Sequence, residues 1–382
     1  MTRDYQIIDA DGHTIEPPDM WQRFMPKKYH DRIPRLAKDP MGGDAWEFQR
    51  GAPPMPIGLV TTPGKTYEQF HWYGSTYDTI HPGCFLGPDR IKAMDVDGVD
   101  ATVLYPSQRT MKYFMNNEDD NFHQAGIEAY NNWLHDEYCA TDHGRLVSLA
   151  QIANLGIEQS VSELRDAKRR GFSGVIISAW PSGAAKLSTD DDPFWEAAED
   201  AGIPVHIHVG VQTASRKEAG SALRAANETG GKFGLPSLAT MGGGIAGFSQ
   251  TIADIIYSEL LDRYPMLQLV GVEVGAGWVP CLLEHMDDHY WRNRHWVGSK
   301  LKMLPSEYFH RNWRITFIRE PFAVANRHAI GVKNMMWSTD FPHHRCDWPY
   351  SRRIIEEMFL KVPLPEKEDI VCNNAKELYK LG

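Results

Sequence analysis

Three short runs of the sequence place ionisable side chains where they could act together. In Ile7-Ile-Asp-Ala-Asp-Gly-His13, an extended chain would put Asp9, Asp11 and His13 on one face and Ile8 and Ala10 on the other. Several ionisable groups aimed together from the end of a buried strand need a compensating charge, and a divalent cation provides one. In Gly202-Ile-Pro-Val-His-Ile-His-Val-Gly210, His206 and His208 share a face, and a neutral imidazole there is a ligand source for zinc and similar ions. In Met335-Met-Trp-Ser-Thr-Asp-Phe-Pro-His-His344, an apolar run ends in Asp340 and Pro342 stops it at once, which leaves a carboxylate on a strand rim. Each run also has a plainer reading: a solvated acidic turn, a hydrogen-bonded core histidine, a capping aspartate. Agreement among the three is the argument for a metal site.

The elements that must position them follow a rhythm. Short apolar runs bounded by turn residues recur at Tyr5–Ala10, Ala101–Tyr105, Leu146–Ile152, Gly174–Ser178, Pro204–Val209, Leu267–Glu273, Arg314–Ile318 and Asn334–Ser338. Eight is the number a closed parallel barrel requires. Helical patterns lie between them, among them Asn121–Thr141, Ile157–Arg170, Pro193–Ala201, Phe248–Arg263 and Gly277–Trp291, with a last one over Lys367–Lys380. Strands alternating with helices predict right-handed crossovers and a parallel sheet. The expected architecture is an α/β fold, a (β/α)8 TIM barrel spanning 1–382 as one domain. Two long insertions interrupt it, about 14–89 after strand one and 210–246 after strand five, and both follow strands that carry candidate ligands. Insertions at those points lie on a barrel's catalytic face.

Composition narrows the class. The chain has 382 residues, a formal net charge of −10 and no Lys/Arg block, which argues against a nucleic-acid or anionic-membrane surface and for a small-molecule ligand. No stretch of 18 residues is apolar, and the first residues lack the pattern of a secretory signal, so a cytoplasmic location is expected. The five cysteines are widely spaced, show no CxxC pattern and are read as reduced thiols. No Gly-x-Ser-x-Gly elbow supports a serine hydrolase.

The chain resembles the amidohydrolase-2 group, the branch of the metal-dependent amidohydrolase superfamily that includes aminocarboxymuconate-semialdehyde decarboxylase and the resorcylate decarboxylases. The resemblance rests on Asp9-Ala-Asp-Gly-His-Thr-Ile-Glu-Pro17, Phe172-Ser-Gly-Val175, His206-Ile-His-Val-Gly210, Tyr264-Pro-Met-Leu-Gln268, Ser338-Thr-Asp-Phe-Pro-His343 and Asn374-Ala-Lys-Glu-Leu378, in the family's order. It implies a metal site of Asp11, His13, His208 and Asp340, with Asp340 also able to carry a proton. Zinc is the expected ion, with manganese or iron as alternatives, and a homodimer is the expected assembly.

One departure stands out. Where many relatives carry a histidine after strand six, this chain reads Val272-Glu-Val-Gly-Ala-Gly277, so Glu273 is a ligand, a general acid or base, or a salt-bridge partner. His206 remains a catalytic candidate. Arg319, His343, His344 and Trp180 are candidates for holding substrate, Trp72 and Tyr73 for walling an aromatic pocket, and Glu16 for capping a helix. The implied chemistry is non-oxidative decarboxylation of a small aromatic or enol-type acid. Hydrolysis of a C–C, amide or lactone bond by metal-activated water uses nearly the same residues, and a barrel that binds metal or ligand without turnover is a third reading.

Overall fold

A computed structural model describes residues 3–212 and 246–382. The first strand, β1 (Ile8–His13), is buried along its whole length. The insertion that follows carries three short strands, β2 (Arg35–Lys38), β3 (Asp44–Glu47) and β4 (Met55–Pro56), in a separate antiparallel sheet of order β2-β3-β4. The remaining barrel strands are β5 (Ala101–Tyr105), β6 (Leu146–Gln151), β7 (Gly174–Ile177), β8 (Val205–His208), β9 (Leu269–Val272), β10 (Trp313–Phe317) and β11 (Met335–Trp337). They form an eight-stranded sheet in the order β1-β5-β6-β7-β8-β9-β10-β11, every pair parallel.

The seam between first and last strands closes through backbone bonds beyond β11. Asp340 N–H donates to Asp11 O at 2.8 Å and His13 N–H to Phe341 O at 2.6 Å. The fold is a (β/α)8 barrel. Val103, Leu149, Val175, Val205, Leu269 and Ile315 are fully buried, because strands covered on both sides are apolar on both faces. At about 1.5–3 kcal/mol per fully buried aliphatic side chain, this core is the main source of stability.

Several expected boundaries move, for local reasons. The run Tyr5–Ala10 enters the sheet only at Ile8, because Gln6 N–H and Ile7 N–H donate to the Asp100 carboxylate instead of to a neighbouring strand. Pairing then continues to His13. The helix expected over Asn121–Thr141 is α-helical over Asp120–Trp133, widens to a π-turn at Leu134–Tyr138 and tightens at Cys139–Thr141. The helix expected over Phe248–Arg263 is broken by Glu259, whose φ of 62° cannot continue a right-handed helix. Over Lys367–Lys380 a π-turn at Asp369–Asn373 likewise interrupts the helix. Most of the second expected insertion lies outside the described residues.

Strain gathers at the C-terminal ends of the barrel strands. Among the described residues, six other than glycine have positive φ, and four of them follow barrel strands: Asn154 (56°), Val209 (64°), Glu273 (56°) and Asp340 (58°). Such backbone costs on the order of 1–3 kcal/mol per residue and persists where surrounding structure holds it.

Candidate metal centre

His13 ends β1 with its ring fully buried, and its Nδ1 lies 3.3 Å from the carbonyl of Pro106. A carbonyl can only accept, so Nδ1 carries the proton and Nε2 presents a lone pair. Around that nitrogen stand His208 Nε2 at 3.3 Å, Asp11 Oδ1 at 3.4 Å and Asp340 Oδ1 at 3.4 Å. His208 ends β8, with Nε2 3.8 Å from Asp11 Oδ1 and 3.6 Å from Glu273 Oε2. Potential ligand atoms of Asp11, His13 and His208 lie within 4.8 Å of one another, as do those of His13, Glu273, Asp340 and His343. Because the two groups share His13, they describe one centre at the mouth of the barrel.

Whether a cation fits can be asked of the atoms themselves. Among the described residues, none donates a hydrogen bond of ordinary geometry to any of the four carboxylate oxygens of Asp11 and Asp340, although both residues are completely buried. Buried carboxylates without partners are expensive, and a cation is the partner that two acids and two imidazoles at this spacing accept together. Charge accounting agrees. Ionised, Asp11, Asp340 and Glu273 carry three negative charges, and Arg345, with Nη1 3.7 Å from Glu273 Oε1, offsets one. The two that remain equal the charge of one divalent ion.

The electrostatics follow from burial and crowding. Burial, then Glu273 and Asp11, hold Asp340 well above the usual carboxylate range. Asp11 is raised by burial, with His13 opposing. Glu273 is pushed up to about 7 by burial and by Asp11, against the pull of His13 and Arg345. Burial works against a charge on His13, but Asp11, Glu273 and the Pro106 carbonyl outweigh it and raise that ring. His208 is held well below its ordinary value by burial, His13 and Lys112. A bound divalent cation would reverse the carboxylate shifts, since it favours the ionised forms.

A further set of contacts fixes these side chains. Asp9 does not face the centre; its Oδ1 accepts Thr339 N–H at 2.7 Å, and its Oδ2 accepts the Thr102 hydroxyl at 2.7 Å and the Thr339 hydroxyl at 2.9 Å. Arg90, itself buried, donates to His13 O at 3.0 Å and to Thr102 Oγ1 at 3.2 Å, with Nη2 3.7 Å from Asp9 Oδ2. One carboxylate therefore ties β1 to β5 and to the residue before Asp340. Gly12 is required here: a Cβ on it would lie 2.3 Å from Thr102 Oγ1 and 2.6 Å from Arg90 Nη2.

The other sequence candidates fall in different places. His343 stacks on His13 with centroids 4.2 Å apart and brings Nδ1 to 3.2 Å from Asp340 Oδ1. His206 shares the inward face with His208 but lies one layer deeper, 2.7 Å from Tyr105 Oη and stacked on Tyr379. Burial lowers it to about 3, so it is neutral. Arg319 is half exposed, with Nη1 3.9 Å from Asp347 Oδ1. His344 is half-buried outside the cluster, and Trp180 is packed in the core. Trp72 and Tyr73, in the first insertion, are half-buried. Glu16 caps no helix: the short helix Met20–Phe24 has Asp19 at its N-cap, and Glu16 is buried. The sequence reading missed Arg345 and Lys112. Their loop and helix positions follow strands of the rim, but nothing in the sequence shows which way either side chain turns.

A cleft of about 550 Å³ opens against His208, with Asn154, Ser178, Lys112, Met111 and Met115 among its walls. A larger groove of about 830 Å³ runs between the helices Asp120–Trp133 and Ile157–Arg170 on the outside of the barrel and contains none of the clustered residues. The cleft beside His208 is the one placed to deliver a ligand to the centre.

A parallel barrel with two histidines and two or three acids converging at its C-terminal mouth defines a metal-dependent enzyme class. The amidohydrolase family profile matches residues 8–381, and the chain belongs to that family. No curated protein matches the sequence. Among solved structures, an amidohydrolase from Mycobacterium avium subsp. paratuberculosis is similar at 18% identity and a TM-score of 0.72, over 99% of this chain and 100% of its own. The 5-carboxyvanillate decarboxylase of Sphingomonas paucimobilis is similar at 19% identity and a TM-score of 0.67, over 99% and 100%. A dihydroxybenzoic acid decarboxylase from a Polaromonas species, with bound manganese and the inhibitor 2-nitroresorcinol, is similar at 16% identity and a TM-score of 0.63, over 99% and 98%. At these identities the likeness establishes the fold. No described helix is long and apolar enough to cross a membrane.

Proposed function

We propose that the protein is a metal-dependent, non-oxidative decarboxylase of a small aromatic or enol-type carboxylic acid. Asp11, His13, His208 and Asp340 would hold one divalent ion, which when bound supplies a charge sink for the substrate's carboxylate and adjacent hydroxyl or oxo oxygen. Manganese or zinc suits a mixed set of carboxylates and imidazoles. The observation that carries the reading is the position of the Glu273 carboxyl group, 3.6 Å from His208 Nε2, beside the ligand set but not sealed from solvent. Decarboxylation needs a group that can hand a proton to carbon. That two similar folds belong to decarboxylases of hydroxylated benzoates supports the same chemistry.

In this reading Glu273 protonates the ring or enol carbon that bears the carboxylate. The bond to the carboxyl carbon then breaks, its electron pair stays with the substrate, and CO2 leaves. Glu273 regains its proton from solvent, because one proton is consumed per turnover. Arg345 steadies the ionised form between turnovers, and Glu273 N–H, donating to Thr316 Oγ1 at 2.9 Å, holds the strained residue in place. His343, against Asp340 and His13, keeps that aspartate turned to the centre.

The test pairs CO2 release from carboxyl-labelled hydroxybenzoates with hydrolysis of lactones and amides, for the manganese-loaded protein and its Glu273→Gln variant. The proposal expects CO2 release, a variant that keeps its metal, and turnover lower by roughly 10²–10⁴-fold. Hydrolysis without CO2 release, or full turnover in Glu273→Gln, would refute it.

A further inference from the structure

A second group of metal-ligating side chains lies on the outside of the barrel. The helix Val279–Val297 follows β9 and buries Leu283, Met286 and Tyr290. That pattern turns positions 285 and 289 outward, and His285 and His289 occupy them, both exposed. Four residues are just over one helical turn, so the two side chains are neighbours on one face. Their ring centroids are 4.2 Å apart, with the planes inclined at 51°. Among the described residues, no hydrogen bond or ion pair occupies a ring nitrogen of either histidine. Two imidazoles at this spacing can turn one nitrogen each to a common point, as the paired histidines of zinc-binding helices do.

The surroundings favour a cation. Glu284 and Asp288 repeat the same spacing one residue earlier along the helix, and both are exposed. Arg292, whose Nε donates to both Asp288 oxygens at 2.9 and 2.8 Å, holds that carboxylate below its ordinary range, and His289 and His285 act in the same sense. Asp288 is therefore close enough to feel both rings. The two histidines also line a groove of about 430 Å³, shared with Gln250, Tyr257 and Asn293, which leaves the space in front of the rings open to water. Cys281 stands one turn before His285, but about 12 Å of helix separates it from His289, so the thiol does not close on both rings.

We propose that His285 and His289 form a second metal site, separate from the centre at the barrel mouth, for a borderline divalent ion such as zinc, nickel or copper. Neutral imidazole suits these ions, whereas magnesium and manganese prefer the oxygen donors that the pair lacks. Two protein ligands with the remaining positions open to water hold an ion less tightly than four buried ones. The site therefore fills from added ion and empties on desalting, whereas the centre keeps its metal. It shares no residue with the centre and does not depend on the reaction proposed above.

The experiment loads the centre of the full-length protein with zinc, removes the excess on a desalting column, and titrates zinc back calorimetrically at neutral pH. The expected result is one further equivalent, with no such step when magnesium replaces zinc. Even an outer partner of a ligating histidine is worth about 10–100-fold in affinity, so His285→Ala and His289→Ala should each weaken the step by about tenfold or more. Both variants should keep the first equivalent, which shows that they are folded. His295→Ala, at another exposed position of the same helix, should leave the step unchanged. Absence of a further equivalent in the wild type overturns the site. A step that survives either substitution of the pair at full strength, or that is lost equally in His295→Ala, overturns the assignment to these two residues.

Discussion

Glu16 lies three residues beyond His13, and its substitution measures what burial does to a carboxyl group that stands outside the candidate centre. The side chain is 1% exposed and Oε1 has no hydrogen-bond partner among the described residues. The nearby Tyr77 hydroxyl donates at 2.7 Å to the main-chain oxygen of Glu16 instead of to its carboxyl group. Burial therefore raises the group from its ordinary 4.5 to about 7, with its own backbone N–H and the Thr110 hydroxyl opposing only in part. In the unfolded chain the carboxyl ionises near its ordinary value, so between about 4.5 and 7 the folded state binds the extra proton. This contribution is fully present below about 4.5 and is lost as pH rises through about 7. At about 1.4 kcal/mol per pKa unit, the loss is about 3 kcal/mol. Glu16→Gln removes the titration while keeping the shape. Its stability relative to the wild type should favour the variant by about 1 kcal/mol at pH 5 and by about 3 kcal/mol at pH 8, the latter a rise of about 4 °C in thermal midpoint for a chain of this size. Calorimetric melting of both proteins from pH 5 to 8, at fixed metal concentration, reads the difference directly. A difference independent of pH, or a variant less stable at pH 8, would refute the claim that burial outweighs the hydrogen bonds at the Glu16 carboxyl group.

Two further outcomes follow from the site. Purified protein should carry about one equivalent of a divalent metal by elemental analysis, and His208→Ala should lose most of it while keeping its far-ultraviolet dichroism; a full equivalent in the variant would remove His208 from the ligand set. Gly12→Ala should cost about 1–3 kcal/mol and weaken metal retention as well, because the new Cβ meets Thr102, Arg90 and Asp9 together. An unchanged melting temperature with unchanged metal content would mean that the Asp9–Arg90 network does not position the ligands.

The sequence alone determined the eight-strand rhythm and the end-of-strand positions of Asp11, His13, His208 and Asp340, because apolar runs, turn residues and side-chain alternation are local properties. Asp9 shows where alternation stops being sufficient. Residues at spacing two share a face only in a regular strand, and the register shift between Asp9 and Gly12 turns Asp9 toward Thr339 and Arg90 instead. His206 and His208 share a face as expected, yet two residues along a strand are one barrel layer, which puts the first against Tyr105 and the second at the rim. Which of Arg319 and Arg345 approaches Glu273 depends on loop paths set by contacts between residues far apart in the sequence. Those contacts decide direction and distance, and no local pattern encodes either.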